Sequence, residues 1–341
     1  MKKSLPLKLA GIALFSTLAA ILYKRVKTLL KIRHIGGKLY KVDYAADYKL
    51  EKLLSKGVKN TNDLISFMSK EMYMGYPIKI NEQISGCTSF SAVSPDGKRL
   101  VGRNFDYPKT GMLLVRTKPR GGYASYSMVC LSHINVMEEA GTMPETMLGK
   151  LMILCAPYAC VDGMNEKGLH VSVLELQTEP TAQETGKTGI ITTVAVRMLL
   201  DKCATTDEAV RMLGEYDMHS SAGSPYHFFI TDAVGNSVVV AWPQQEMAVT
   251  KVAQVTNFQL ADGKDKGMGM GHDRYKTAEW TLGKRDGVLD EDEAMKLLGE
   301  VGVSFEGRNW GTLWSIVYNI DELTLSICTE MDYATVYKVA L

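Results

Sequence analysis

No CxxC pair occurs in the 341 residues, and the six cysteines do not cluster with the six histidines. That excludes the ligand spacing of a zinc ribbon or zinc finger. Six cysteines in a chain this long are also too few for a disulfide framework, so most are expected in the core as small hydrophobes. Cys155 and Cys160 are close enough in sequence to pair if the chain is exported, and the sequence leaves that open. Neither sign of charge is in excess: 39 Lys and Arg stand against 38 Asp and Glu, a net charge of +1. Such a balance carries no basic footprint for nucleic acid and no acidic tail. Repeats and low-complexity tracts are absent, and the composition is that of a folded globular protein. No Gly-x-Ser-x-Gly elbow occurs, and a loop histidine is more often a surface residue, so His219, Ser220, Ser221 and His227 are not read as a hydrolase triad. Gly267-Met268-Gly269-Met270-Gly271 lacks the Lys-Ser/Thr ending of a phosphate loop and is read as a flexible loop over the site. No cofactor and no metal is implied.

One apolar run stands out, at the N-terminus. Lys2 and Lys3 precede a mostly apolar stretch from Leu5 to Tyr23, interrupted by Lys8. Its uninterrupted part, from Leu9 to Tyr23, is shorter than the about 20 residues of a spanning helix. It suits the h-region of a signal peptide or signal anchor. No small-x-small cleavage site follows. Lys24, Arg25, Lys27, Lys31 and Arg33 come instead, and such charges oppose transfer of the downstream chain. The expectation is membrane contact through residues 5–33, or export, with the side of the membrane open. The alternative is an amphipathic helix packed on the domain.

From Lys38 to Gly86 the chain reads as a short helical segment. Leu50 to Leu54 and Leu64 to Met68 carry helical spacing, and Asn60 or Thr61 is the expected cap. After Cys87 the texture changes to strand-like runs. Thr88–Val93 and Leu100–Asn104 flank a Ser94–Gly97 turn, which predicts a hairpin. Leu113–Lys118, Ala124–Cys130 and His170–Gln177 read as strands, Thr192–Asp201 as a helix, and a second helix begins at Thr205 or Thr206 and covers Glu208–Leu213. Strands return at His227–Asp232, Ser237–Trp242 and Met247–Val252. Helices at Asp273–Leu282 and Asp292–Leu298 precede three final strands, Thr312–Tyr318, Leu323–Thr329 and Thr335–Val339. Strand runs on both sides of a helical block predict two antiparallel sheets packed face to face with helices outside, an α+β sandwich of four αββα layers.

The chemistry concentrates around Gly86-Cys87-Thr88-Ser89-Phe90 and Gly102-Arg103-Asn104-Phe105-Asp106-Tyr107. A hairpin brings the ends of its strands together, so Arg103 and Asp106 are expected beside Cys87. Thiolate is the reactive form, a free thiol has a pKa of about 8.5, and a nearby cation lowers it. If Cys87 is N-terminal, its own α-amine, with a pKa of about 7.7–8.0, can serve as the base. The competing readings are a buried structural cysteine and a surface cross-strand ion pair, which is worth little.

These two segments resemble the choloylglycine hydrolase and penicillin V acylase family, which shares the N-terminal nucleophile fold with acid ceramidase and N-acylethanolamine amidase. Asp162-Gly163-Met164-Asn165-Glu166-Lys167-Gly168-Leu169 is similar to a further family segment. Val255-Thr256-Asn257-Phe258 is similar to its Thr-Asn segment without the usual Asn-x-Pro continuation, and His272-Asp273-Arg274-Tyr275 is similar to its late Arg-aromatic motif. The resemblance runs from Cys87 to about Leu282. It implies Cys87 as nucleophile, Arg103 and Asp106 as its orienting pair, Asn165 and Asn257 as oxyanion donors, and Arg274 as support for the Cys87–Asp106 arrangement. Apart from the resemblance, Asn165 and Asn257 are also readable as turn residues and Arg274 as a solvated helix charge.

In bile-salt hydrolases the cysteine often follows the initiator Met, whereas here 86 residues precede it. Activity of this kind therefore requires cleavage between Gly86 and Cys87. The resemblance then divides the chain into a signal or anchor with its basic run (1–37), a helical leader or propeptide (38–86) and a hydrolase domain (87–341). It implies hydrolysis of a linear, non-peptide amide such as a conjugated bile acid, penicillin V or a fatty N-acyl amide. Acyl transfer by the same residues and an inactive membrane-tethered binding protein are the alternatives. Self-association is left open.

Overall fold

The computed structural model describes residues 16, 19–80, 86–261 and 264–341. The apolar run from Leu5 to Tyr23 therefore lies largely outside the described residues. Among those described, no helix is long and apolar enough to cross a membrane.

Residues 19–29 form helix α1. Strands β1 (Ile32–Gly36) and β2 (Leu39–Tyr44) follow, then helices α2 (Leu50–Lys56) and α3 (Thr61–Met72). The Asn60 side chain caps α3 by accepting the Asp63 N–H. The helical reading of 38–86 needs correction at its start: in β2, Tyr40, Val42 and Tyr44 are buried while Lys41 and Asp43 are not. That period of two belongs to a strand.

Next come the hairpin strands β3 (Gly86–Val93) and β4 (Arg99–Pro108), then β5 (Met112–Thr117), β6 (Ser125–Cys130) and the short helix α4 (Met147–Met152). They are followed by β7 (Cys160–Asn165), β8 (His170–Glu175), β9 (Gly189–Ile191), α5 (Thr192–Lys202), α6 (Thr206–Leu213) and β10 (Asp217–His219). The chain continues through β11 (Tyr226–Thr231), β12 (Ser237–Ala241), β13 (Ala248–Lys251), β14 (Gln254–Val255), β15 (Asn257–Ala261) and β16 (Lys264–Met270). Helices α7 (His272–Lys284) and α8 (Glu291–Glu300) lead to the last strands, β17 (Trp310–Asn319), β18 (Thr324–Thr329) and β19 (Val336–Ala340).

Nine strands form one sheet in the order β1-β2-β5-β6-β7-β8-β11-β12-β13, and six form the other as β14-β3-β4-β17-β18-β19. Within these two sheets only β2 and β5 pair in parallel. Helices α5 and α6 pack on the larger sheet, and α7 and α8 on the smaller. The two inner faces meet: Ser89 Oγ lies 3.1 Å from Ser172 Oγ across the gap. The result is the four-layer αββα sandwich.

Alternation along β3 and β4 explains both interfaces of the smaller sheet. Val101 and Phe105 join the large core between the sheets. Phe90, Ala92 and Leu100 point the other way, into a second core with Ala278, Leu282 and Leu298 of α7 and α8. The Asp162-Gly163 pair sits inside β7, where a Cβ on Gly163 would lie 2.4 Å from the Tyr126 carbonyl oxygen. Only glycine lets β7 approach β6 that closely.

Residues 32–80 are part of this body. Leu39 extends the larger sheet, and Leu53, Leu64 and Met68 are fully buried in the main core. Tyr48 Oη donates to Asp201 Oδ2 (2.5 Å) and Tyr158 Oη donates to the Tyr48 carbonyl. The six cysteines are all free, Cys155 and Cys160 included.

Candidate active site

Cys87 is the second residue of β3 and is fully buried. Its side chain belongs to the inner face, where Sγ donates to the Val173 carbonyl of β8 at 3.8 Å. Arg103 reaches the same oxygen from β4, with Nη2 at 2.8 Å, and its Nε donates to Asp162 Oδ2 at 3.2 Å. Both members of this ion pair have side chains at 0% exposure. Burial pushes the Cys87 thiol up to about 12, opposed by the Arg103 guanidinium, reinforced by the Asp106 carboxylate and opposed again by Arg274. In this structure Cys87 is thus a neutral thiol held next to a cation.

Asp106 and Arg274 work at the other end of the residue. Gly86 is paired with Asp106 in the hairpin, and Cys87 with Phe105. Arg274 projects from the first turn of α7. Its Nη1 donates to the Cys87 carbonyl (2.9 Å), to Thr88 Oγ1 (2.8 Å) and to Asp106 Oδ2 (3.1 Å), and its Nη2 to Asn257 Oδ1 (3.0 Å). Thr312 Oγ1 holds the second Asp106 oxygen at 2.7 Å. Burial pushes the Asp106 carboxyl up, opposed by the Arg274 guanidinium and by the Thr312 hydrogen bond. Arg103 therefore serves the sulfur from inside the sandwich, while Asp106 and Arg274 serve the backbone at the 86–87 junction.

Asn257 begins β15 and closes the group. Its Oδ1 accepts the Cys87 backbone N–H at 2.6 Å, and its Nδ2 donates to the Glu175 carbonyl at 2.9 Å. Two donors on one atom and an acceptor on the other fix the amide's orientation chemically. One Nδ2 hydrogen remains for another acceptor.

Asn165 does not join them. Its Nδ2 donates to the carbonyls of Leu200 (3.0 Å) and Cys203 (2.8 Å), its Oδ1 accepts from the N–H groups of Lys167 and Leu169, and its own N–H donates to the Leu169 carbonyl. Every side-chain donor is committed, so the oxyanion role expected of Asn165 is corrected to that of a turn residue tying the β7–β8 loop to the end of α5.

The histidine reading is corrected too. His227 lies in β11 with no exposure, and its Nε2 pairs with the Thr256 carbonyl at 2.8 Å, one residue before Asn257. Burial pushes it down to about 4. A lone histidine gives no sign of its depth, although its neighbours Tyr226, Phe228 and Phe229 belong to a buried strand. The glycine and methionine run at 267–271 lies mostly in β16, hydrogen-bonded to β15, instead of in a free loop.

Sequence reasoning passed over Glu175, Thr312 and Asp162 as members of the group. Glu175 carries one visible signal, an acid between Leu174 and Leu176 at the end of a buried strand. Burial pushes its carboxyl up, opposed by a hydrogen bond to Ser224. Thr312 carries no signal, since threonine is ordinary in strands. Among the described residues no cluster of three or more His, Cys, Asp or Glu side chains has the geometry to hold a metal ion.

The fold matches solved structures. A mutant of the conjugated bile acid hydrolase from Clostridium perfringens superposes with a TM-score of 0.55 at 16% identity, covering 75% of this chain and 92% of that one. Penicillin V acylase from Agrobacterium tumefaciens gives a TM-score of 0.55 at 17% identity over 75% of this chain and 86% of that one. Residues 87–257 match the family described as linear amide C-N hydrolases, choloylglycine hydrolase family. That match spans half of the chain and starts at Cys87 itself. The protein belongs to the choloylglycine hydrolase family and is an amidohydrolase acting on linear amides.

Proposed function

We propose that Cys87 is the nucleophile and that it becomes competent when the Gly86–Cys87 bond is cut. The observation that carries this reading is the set of groups converging on one residue. Arg103 stands beside the sulfur, while Asn257, Asp106 and Arg274 surround the backbone N and the junction before it. A peptide nitrogen has no free lone pair for a proton. A freed α-amine does, and it titrates near working pH. In the cleavage step the Cys87 sulfur attacks the Gly86 carbonyl, the C–N bond breaks as a thioester forms, and water then releases Gly86 from the sulfur.

In turnover the α-amine takes the thiol proton and the thiolate attacks the amide carbonyl of the substrate. The free Nδ2 hydrogen of Asn257 meets the oxyanion, and losing such a donor costs about 100- to 1,000-fold in turnover. The tetrahedral intermediate collapses to a thioester on Cys87 as the protonated amine leaves. Water hydrolyses the thioester, with the α-amine again as base. Asp106 and Arg274 hold the new terminus in place. The substrate is an N-acyl amide, and conjugated bile acids, penicillin V and fatty N-acyl amides are the classes to screen.

Two measurements test this. Intact-mass spectrometry of active protein is expected to show two fragments joined no longer at 86–87. An active preparation containing full-length chain alone sinks the reading. Cys87→Ala is expected to stay uncut and inactive, and amidase activity in that variant would refute the nucleophile.

Contact with a membrane through residues 5–33 is part of the proposal. Leu22 and Val26 of α1 and Leu30 just after it, spaced four apart, are exposed at 59%, 44% and 78%. Lys24, Lys27 and Lys31 stand in the same segment. An exposed apolar ridge on a lysine-rich segment fits a helix lying in a headgroup layer. Full-length protein is expected to float with anionic phospholipid vesicles, and recovery only in the dense fraction counts against the contact.

A further inference from the structure

The mechanism above leaves one buried acid without a task. Asp162 comes from β7 of the larger sheet and accepts three hydrogen bonds, all from the smaller sheet. Oδ2 takes the Arg103 Nε and the Trp314 Nε1, each at 3.2 Å, and Oδ1 takes the Tyr318 Oη at 2.7 Å. Trp314, Ile316 and Tyr318 alternate along β17, so Trp314 and Tyr318 share its inner face, and Arg103 stands opposite Ile316 in the neighbouring strand. The Trp314 ring is stacked on Phe105 with centroids 4.1 Å apart, and Phe105 is the hairpin partner of Cys87. One carboxylate thus bridges the two sheets directly behind the nucleophile.

The guanidinium it holds is only partly used. Nε goes to Asp162 and Nη2 to the Val173 carbonyl, the oxygen that Sγ also addresses, whereas Nη1 has no hydrogen-bond partner. A guanidinium is planar, so fixing Nε and Nη2 fixes the direction of Nη1. A buried cation left with an open donor is costly unless something meets it. The Cys87 sulfur addresses the same carbonyl as Nη2, which brings it to this guanidinium, and a thiolate there is the acceptor an open donor calls for.

We propose that Asp162 is a positioning residue for the nucleophile: braced by Trp314 and Tyr318, it sets the Arg103 guanidinium so that Nη1 is held free for the Cys87 thiolate. The inference rests on Cys87 being the nucleophile. It adds a tertiary device that acts through Arg103 and touches no substrate.

The test is the rate at which iodoacetamide alkylates Cys87 in the cleaved protein, read by mass spectrometry, beside kcat and KM on an amide substrate. Asp162→Asn puts an amide N–H where a donor already points and unseats Arg103. Alkylation and kcat are expected to fall together by about 10- to 100-fold, the worth of one charge-assisted hydrogen bond, with KM nearly unchanged. In an Arg103→Leu background the same change is expected to add little, because the cation it positions is gone. Tyr318→Phe keeps the ion pair and removes one brace, so a smaller loss in both rates is expected, and it serves should the Asn variant fail to fold. Additive losses in the Arg103→Leu background, or unchanged alkylation in both variants beside a reactive Cys87 in the unmutated protein, would overturn the inference alone. An inert Cys87 in the unmutated cleaved protein would overturn the nucleophile reading and the inference with it.

Discussion

If the Gly86–Cys87 bond is cut as proposed, Gly86 is the residue at which cleavage and turnover can be separated. A Cβ added there would lie 2.7 Å from Asp106 Oδ2 and 3.2 Å from Asp106 Cβ. The first distance is shorter than any real contact of that kind, and the strand pairing of Gly86 with Asp106 leaves the backbone little freedom to retreat. The carboxylate has to move, yet it is held by Thr312 on one oxygen and Arg274 on the other. Overpacking of this sort costs about 1–3 kcal/mol. Expressed at the cleavage step, that is about a 10- to 100-fold slower maturation of Gly86→Ala.

Once the bond is cut, residue 86 is no longer attached to Cys87 and its methyl is free to leave the carboxylate. The mature fraction of Gly86→Ala is therefore expected to turn over at the unmutated rate per mole of free N-terminal cysteine. Intact-mass time courses give the cleavage rate, and titration of the new terminus normalises the activity. Cleavage at the unmutated rate would show that Asp106 is not confined as argued. A mature fraction with depressed kcat would show that Gly86 still acts on the site after cleavage.

Three further outcomes are expected. Asn165→Ala leaves four backbone groups without their partner and should destabilise the protein by about 2–4 kcal/mol, while kcat per folded molecule stays within a few-fold; a selective collapse of kcat with unchanged denaturation would restore the oxyanion role. Because Tyr48 and Asp201 share a buried hydrogen bond and Leu53 and Met68 sit in the main core, the fragments 1–86 and 87–341 are expected to co-elute in native buffer and separate only in denaturant. His227 and His170 are held neutral, pushed down to about 4 and about 3 by burial. The folded state then binds fewer protons than the unfolded one below about pH 6.5. Their contribution is fully present above that pH and is lost as the pH falls toward 4 and 3. The urea midpoint is expected to be lower at pH 5 than at pH 7, with a smaller difference in His227→Gln, whose amide can still donate to the Thr256 carbonyl.

The legible part of the fold was the part with strong local signals. The Ser94–Gly97 turn between apolar runs marked the hairpin, and Thr205, capping α6 through the Glu208 N–H, marked its helix. Cys87, Arg103 and Asp106 fell together because a hairpin converts sequence spacing into proximity. Asn257 and Arg274 reached the site only through the resemblance, since nothing local says that β15 and α7 return to the mouth of β3. The strand β7 was read as a motif rather than a strand, because Asp, Gly and Asn at 162, 163 and 165 are poor strand formers whose presence is decided by tertiary packing. β2 was hidden by its position before two clear helices. The depth of His227, Asp162 and Thr312 is silent in the sequence because burial is a property of the assembled sheets.

The two asparagines show what separates a structural polar residue from one available for chemistry. Both are buried, both lie in matching family segments, and both bond to backbone. Asn165 closes its hydrogen bonds on its own turn and on the end of the neighbouring helix, so the geometry is complete without anything bound. Asn257 spends its oxygen on the Cys87 N–H and on Arg274, and keeps one Nδ2 hydrogen uncommitted. Cutting the 86–87 bond changes the first of these partners from a peptide N–H to an amine. In the proposed mechanism, the asparagine whose partner changes chemically on cleavage is the one whose remaining hydrogen faces new work, and Arg103, whose Nη1 is unpartnered, stands in the same condition. In the proposed mechanism each of these open donors finds its acceptor only when charge develops: the oxyanion for Asn257 and the thiolate for Arg103.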